Sequence, residues 1–197
     1  MSSPSRTSRR SAGLTLVEMM VGVAVLGVVV AAAIPSLTGL MERRRITAAA
    51  SEIASIFNQA RAESLAASER ITVHMEDVPA TVGQFSCIRL STHGGIDRCK
   101  CNLPEASVCA TGYSKQLRSY ILPHSSSVRF SSQADKWNTL SQTVIYASGL
   151  LQDNVSNVRV NIVGDRTGAK LRVETNPVGR VHICSPDASM SGYPKCE

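Results

Sequence analysis

LTLVEMMVGVAVLGVVVAAAIPSLTGLM, residues 14–41, carries one charged side chain, Glu18, before Glu42 opens a run of arginines. About 20 residues at roughly 1.5 Å each cross a hydrocarbon core of about 30 Å, so this stretch can span a membrane as a helix. Pro35 lies inside it, and because proline lacks the amide donor and clashes with the preceding turn, it predicts a bend or a locally melted turn. Glu18 is the residue that does not fit. A carboxylate in an apolar helix must snorkel, find a partner or stay protonated.

On the N-terminal side, MSSPSRTSRRSAG (residues 1–13) is polar, arginine-rich and ends in glycine, which marks a processing segment. In an ordinary secretory signal the cleavage site lies beyond the apolar core. Here Gly13 precedes it, so cleavage would leave the helix in the mature chain.

On the C-terminal side, Glu42-Arg43-Arg44-Arg45 is a basic stop, and residues 46–70 follow as ITAAASEIASIFNQARAESLAASER. Ile46, Ala49 or Ala50, Ile53, Ile56 or Phe57, Ala60 and Leu65 recur at helical spacing, with Glu52, Gln59, Arg61 and Glu63 as polar neighbours. This predicts one helix, largely continuous from Leu14 to about Ser68. Its first half belongs in lipid or among similar helices, packed through Val21, Val25, Leu26 and Val28. Its second half lays one stripe on a domain.

Beyond residue 70 the apolar period shortens to two. ITVHMEDV (71–78), Phe85–Leu90, KQLRSYIL (115–122), SSVRF (126–130), TVIYA (143–147), NVRVNIVG (157–164), AKLRVET (169–175) and GRVHIC (179–184) are candidate strands. Gly168 and Asn176-Pro177-Val178-Gly179 punctuate the last three as antiparallel neighbours. The expected fold is α+β: a long N-terminal helix packed on a curved antiparallel sheet. Residues 91–114 have no such period and hold three cysteines, which predicts a disulfide-restrained surface loop.

The formal charge is +6, but removing Arg6, Arg9 and Arg10 with the leader leaves 18 basic side chains against 15 acidic. Bulk charge therefore does not argue for nucleic acid, and any such contact needs a local patch. Cys87, Cys99, Cys101, Cys109, Cys184 and Cys196 form an even set confined to the second half, as in an exported disulfide-bonded domain. Cys184 with Cys196 would close a small C-terminal loop, leaving three connectivities for the other four. Cys99-Lys-Cys101 is tighter than a zinc knuckle and no Cys-x-x-Cys occurs, so no metal is expected. His74, His93, His124 and His182 lack ligand spacing, and neither a Gly-x-Ser-x-Gly elbow nor a phosphate-binding glycine loop is present. Neither catalysis nor a cofactor is expected.

Gly13-Leu14-Thr15-Leu16-Val17-Glu18 resembles the class III, type IV prepilin signal: a short basic leader, glycine, an apolar residue and a glutamate five residues after the cut, leading an apolar helix. Leu14 stands where phenylalanine is commoner. The resemblance implies that a prepilin peptidase cuts after Gly13 and methylates the new amine of Leu14. It implies also that Glu18 meets the N-terminal amine of a neighbouring subunit, a pair that is tolerable in an apolar core where either charge alone is costly. Pro35 matches the proline of type IV pilins by its offset from Leu14.

The ending GRVHICSPDASMSGYPKCE refines this. Gly179-Arg180-Val181, Cys184-Ser185-Pro186 and Gly192-Tyr193-Pro194-Lys195-Cys196 resemble the C-terminus of FimT/FimU-like minor pilins in the GspH/FimT family. The resemblance implies a minor type IV pilus subunit acting in assembly or at the tip with other major and minor pilins. Its anchor would cross the inner membrane once, with the leader cytoplasmic and the C-terminal domain periplasmic, before entry into the filament. The related minor pseudopilin of a type II secretion system is the alternative. Some FimT-like members are associated with binding DNA during natural transformation through a Gly-Arg-x-Arg segment at this end, so the resemblance implies double-stranded DNA as a further candidate partner. Gly179 and Arg180 match it, with His182 in the second basic position. In an extended GRVHIC, Val181 and Ile183 point inward while Arg180 and His182 share the other face, which Lys195 would extend if Cys184 bonds Cys196. The expected organisation is a leader at 1–13, a membrane or filament-core helix at 14–41, an amphipathic continuation at 42–70 and a β-rich domain at 71–197.

Overall fold

The computed structural model describes residues 15–78, 83–92, 99–101, 109, 114–134, 143–152, 155 and 157–197, with the backbone alone at 33–36. Gly13 and Leu14 lie outside these residues. Among the described residues, one α-helix, α1 (Leu16–Ala66), is followed by nine strands. The chain divides into two units, Met1–Thr38 and Gly39–Glu197.

In the first unit, Thr15 caps α1: its Oγ1 accepts the Glu18 N–H at 3.3 Å. This gives Thr15-Leu16-Val17-Glu18 the spacing of a capping box, a local role for a threonine–glutamate pair that the apolar setting obscures. The side chains of Leu16–Val30 are exposed, and an 18-residue window of α1 reaches a mean hydropathy of 2.5 with none of it buried. The backbone stays helical through Pro35, so the expected local melting does not occur.

In the second unit, Ile46, Ala49, Ala50, Ile53, Ile56, Phe57 and Ala60 of α1 are fully buried, the stripe their spacing predicts. Leu65, assigned to the same stripe, is instead 55% exposed, and Ser64 turns inward to accept the Gly149 N–H at 3.0 Å. The helix stops two residues before the expected end, ahead of Ser68 at φ 52°.

The expected single sheet is two. Strands β1 (Ile71–Val78), β2 (Phe85–Thr92), β3 (Gln116–Pro123), β5 (Thr143–Ala147) and β6 (Leu150–Leu151) form one antiparallel sheet in the order β3-β2-β1-β5-β6. Strands β4 (Val128–Ala134), β7 (Val158–Gly164), β8 (Lys170–Thr175) and β9 (Val181–Cys184) form the other, β4-β7-β8-β9. The chain changes sheets between β3 and β4 through a 3-10 turn, His124–Ser126, and Ser127 at φ 60°. Both sheets turn their apolar positions into one cluster with the helix stripe.

Ser86 ties the sheets at this crossing. Its Oγ donates to Asp77 Oδ1 at 2.8 Å and accepts the Phe130 N–H at 3.0 Å, while His124 Nε2 lies 3.0 Å from Asp77 Oδ1. Serine, histidine and aspartate meet here without forming a catalytic triad. Ser86 is fully buried, and its Oγ and the Asp77 carboxylate both face the same ring nitrogen, His124 Nε2, at 3.4 and 3.0 Å, whereas a triad histidine engages serine and aspartate through different nitrogens.

Candidate functional site

The outer faces of the two sheets differ, and that difference locates the candidate surface. On the first sheet, Cys101 is bonded to Cys87 and donates its N–H to His74 Nδ1 at 3.1 Å; Arg89 Nη1 reaches Lys100 O at 2.6 Å. His74 and Arg89 sit opposite each other across β1 and β2, and both are buried. Residues 99–101 thus lie over this face, with Cys99 bonded in turn to Cys109. Two connectivities that the sequence left open are thereby removed.

On the second sheet the outward positions stay accessible. Antiparallel register sets Arg159 opposite Glu174 and Glu174 opposite His182, and sets Asn161 opposite Arg172. Glu174 collects the charges: its carboxylate lies 3.2 Å from Arg172 Nη1, 3.8 Å from Arg159 Nε and 3.0 Å from His182 Nε2. Arg129 pairs with Asp165 and Lys170 with Asp187 at the borders. Sheet order, which residue order alone does not supply, fixes where Arg159 and Arg172 lie. Strand pairing puts both on the His182 face.

The turn into β9 explains Gly179 in backbone terms. It has φ +73°, and a Cβ there would lie 2.8 Å from Gly149 O and 3.1 Å from Arg61 Cδ. Any side chain would meet both strain and backbone. Asn176 Oδ1 accepts the Arg180 N–H at 2.8 Å, leaving the Arg180 side chain exposed. Val181 and Ile183 pack against the core, His182 points out, and Cys184 bonds Cys196 as expected. That bond and the parallel bridge between Ser185 and Lys195 hold the exposed Lys195 beside the end of β9. Glu174 also lies within ligand distance of Cys184 and Cys196, but both sulfurs are spent in the disulfide.

Sequence reasoning missed Glu42, which it read as part of a basic stop. The carboxylate is 2% exposed and inserted into the β7–β8 turn. It accepts Thr167 Oγ1–H at 2.6 Å, Thr167 N–H at 2.8 Å and Arg166 N–H at 3.3 Å. Burial, the largest single influence, raises its pKa. The Thr167 and Arg166 hydrogen bonds and the Arg166 charge together outweigh it and hold the carboxyl below the usual range. Gly164 makes the room, because a Cβ there would overlap the Glu42 carboxylate and lie 2.9 Å from Ile46 Cδ1.

Residues 8–34 match the prokaryotic N-terminal methylation motif. No curated protein matches the chain. Among solved structures, it is similar to the type IV minor pilin FimU of Pseudomonas aeruginosa strain PAO1, at 15% identity over 77% of this chain and 97% of that one, with a TM-score of 0.48. It is similar also to the minor pseudopilin EpsH of the Vibrio cholerae type 2 secretion system, at 9% identity over 72% and 97%, with a TM-score of 0.48. Since both scores fall below 0.5, the fold rests on the chain's own helix and sheets. The chain is a pilin-like α+β protein: an N-terminal methylation motif heads one long helix that leads into two antiparallel sheets.

Proposed function

We propose that this chain is a minor subunit of a type IV pilus, anchored in the inner membrane after export of its C-terminal domain and then built into the filament base or tip. The N-terminal methylation motif carries this reading, because its cleavage point at Gly13 precedes the apolar helix and leaves it available for packing. Prepilin peptidase removes residues 1–13 and methylates Leu14. Glu18 then receives the amine of a neighbouring subunit, and the exposed apolar surface from Leu16 to Val30 supplies the contact. Pro35 adjusts the helix path between neighbours.

Co-expression with a prepilin peptidase tests the reading. The product should begin at methylated Leu14, and Gly13→Val should block cleavage. A product cut beyond the helix would exclude a pilin. Deletion of the gene should abolish surface pili while leaving type II secretion intact; the reverse pattern assigns the chain to a secretion pseudopilus.

DNA capture is a second activity, supported by the outward rows of the second sheet. Arg159, Arg172 and His182 share one open face, and Arg180 extends from its turn. Cations spaced along a sheet contact phosphates with little sequence preference, so binding should weaken steeply with salt. Titration of double-stranded DNA into the oxidised protein, compared with Arg180→Ala plus Lys195→Ala, is the direct measurement. Salt-sensitive binding that the double variant lacks supports capture, and its absence at low salt restricts the chain to assembly.

A further inference from the structure

Glu42-Arg43-Arg44-Arg45 does not act as one basic block. Glu42 enters the core and Arg45 Nη1 donates to Ser126 O at 2.8 Å. Arg43 and Arg44 remain exposed, and no ion pair or hydrogen bond engages either among the described residues. With Leu40 and Ala48 they form one stripe at i, i+3, i+4 and i+8, on the side of α1 turned away from Ile46 and Ala49. Met190 and Ser191 of the C-terminal segment provide the opposing wall of a groove of about 430 Å³. Leu40, Ala48 and Met190 make part of that groove apolar, while the two guanidinium groups make it cationic.

We propose that this groove seats an anionic phospholipid, its phosphate on Arg43 and Arg44 and its first acyl carbons against Leu40, Ala48 and Met190. The proposal rests on the membrane-anchored reading above. Charge complementarity comes first. The cations of the second sheet have acidic neighbours in Glu174, Asp165 and Asp187, whereas among the described residues the two guanidinium groups of this groove have none. Guanidinium forks match phosphate oxygens in geometry as well as charge. Continuity comes second: the apolar run ends at Met41, and Arg43 follows about 3 Å further along the helix axis. That is where a headgroup layer begins. A second copy of the chain would have to bury both charges, which is costly unless it brings carboxylates.

The full chain, reconstituted in phosphatidylcholine vesicles containing a minority of phosphatidylglycerol, would be labelled with a photoactivatable phosphatidylglycerol and, separately, with the matching phosphatidylcholine. Phosphatidylglycerol should label peptides around residues 40–48 and 190–191 preferentially. Removing either charge, in Arg43→Gln or Arg44→Gln, should lower that labelling about fivefold. Ser191→Asp, a surface change that adds an opposing charge to the groove, should also lower it, and Arg159→Gln should not.

Equal labelling by the two lipids would overturn the proposal, as would labelling indifferent to both arginine variants. Displacement of the label by millimolar inorganic phosphate would reduce the groove to a site for free anions. Chain-to-chain cross-links at these peptides in place of lipid adducts would give it to a second copy. Failure of the chain to enter vesicles of either composition would remove the membrane reading and this inference together, whereas normal entry without phosphatidylglycerol preference would remove this inference alone.

Discussion

Strands β1 and β7 carry the same alternation and meet opposite fates. In β1, Ile71, Val73 and Met75 face the core, and the intervening Thr72 and His74 are buried as well, His74 beneath the disulfide-bonded Cys101. In β7, Val158, Val160 and Ile162 face the core while Arg159 and Asn161 remain half-exposed. An outward-facing cation is thus a structural tie on one sheet and is left accessible on the other. Arg89 and Arg159 are chemically alike; what lies above each decides its use.

The largest expected effect comes from uncovering the first sheet. Closed loops separated by 14 and 12 residues constrain the unfolded chain almost equally, so Cys87→Ser/Cys101→Ser and Cys184→Ser/Cys196→Ser should each cost about 2–4 kcal/mol on that account. Losing the central bond also loosens the Cys101–His74 and Arg89–Lys100 hydrogen bonds, at about 1 kcal/mol each. Denaturant unfolding of the two double variants should therefore rank the central one lower. Equal losses would mean that the cover adds nothing beyond its cross-link.

Gly164→Ala probes how the second sheet is held without a cover. Its methyl group meets the Glu42 carboxylate and Ile46, and the expected loss is about 1–3 kcal/mol by thermal or denaturant unfolding. A neutral result would mean that the turn yields freely.

Acid should separate the same two devices. The Glu42 carboxyl is held below its ordinary value, so its contribution is fully present above that value, near pH 4.5, and is lost as pH falls through the lowered one. Unfolding curves across this window should show an acid-labile limb that Glu42→Gln flattens, with the disulfides unaffected. An unchanged limb would assign the acid sensitivity to other carboxylates.

The smallest effect on stability belongs to the open face. Glu174→Gln removes three partly exposed charge partners and should shift stability by less than about 1 kcal/mol. It should nonetheless strengthen DNA binding at low salt, because Arg159, Arg172 and His182 lose their shared counter-ion. Weaker binding would make Glu174 an organiser of the cations instead of their competitor.

Much of this was legible in residue order. The periods of 3.6 and 2, the even cysteine set and the glycine–glutamate spacing yielded the helix, most of the strands and the N-terminal motif. The division into two sheets was not legible. It turns on Ser127 in a left-handed conformation that serine seldom adopts, and on pairings between strands distant in sequence. Strand β6, two residues long, gave no period to detect. Glu42 was hidden by its three arginine neighbours, and the only signal for it, Gly164 at the end of β7, acquires meaning once the turn is set against the helix. The C-terminal face was read correctly in alternation at Val181, His182 and Ile183, while its counter-ion Glu174 required the register between β8 and β9.

Glu42 also bears on mechanics. An apolar stripe resists separation but allows sliding, because dispersion contacts have little directional preference. Tension applied along α1 from its N-terminal end meets a directional tie at Glu42, where three hydrogen bonds grip the β7–β8 turn. From there the force passes into the paired strands β7 and β8 and their ladder of hydrogen bonds. The carboxylate works as a cleat that keeps a pulled helix from slipping through its domain.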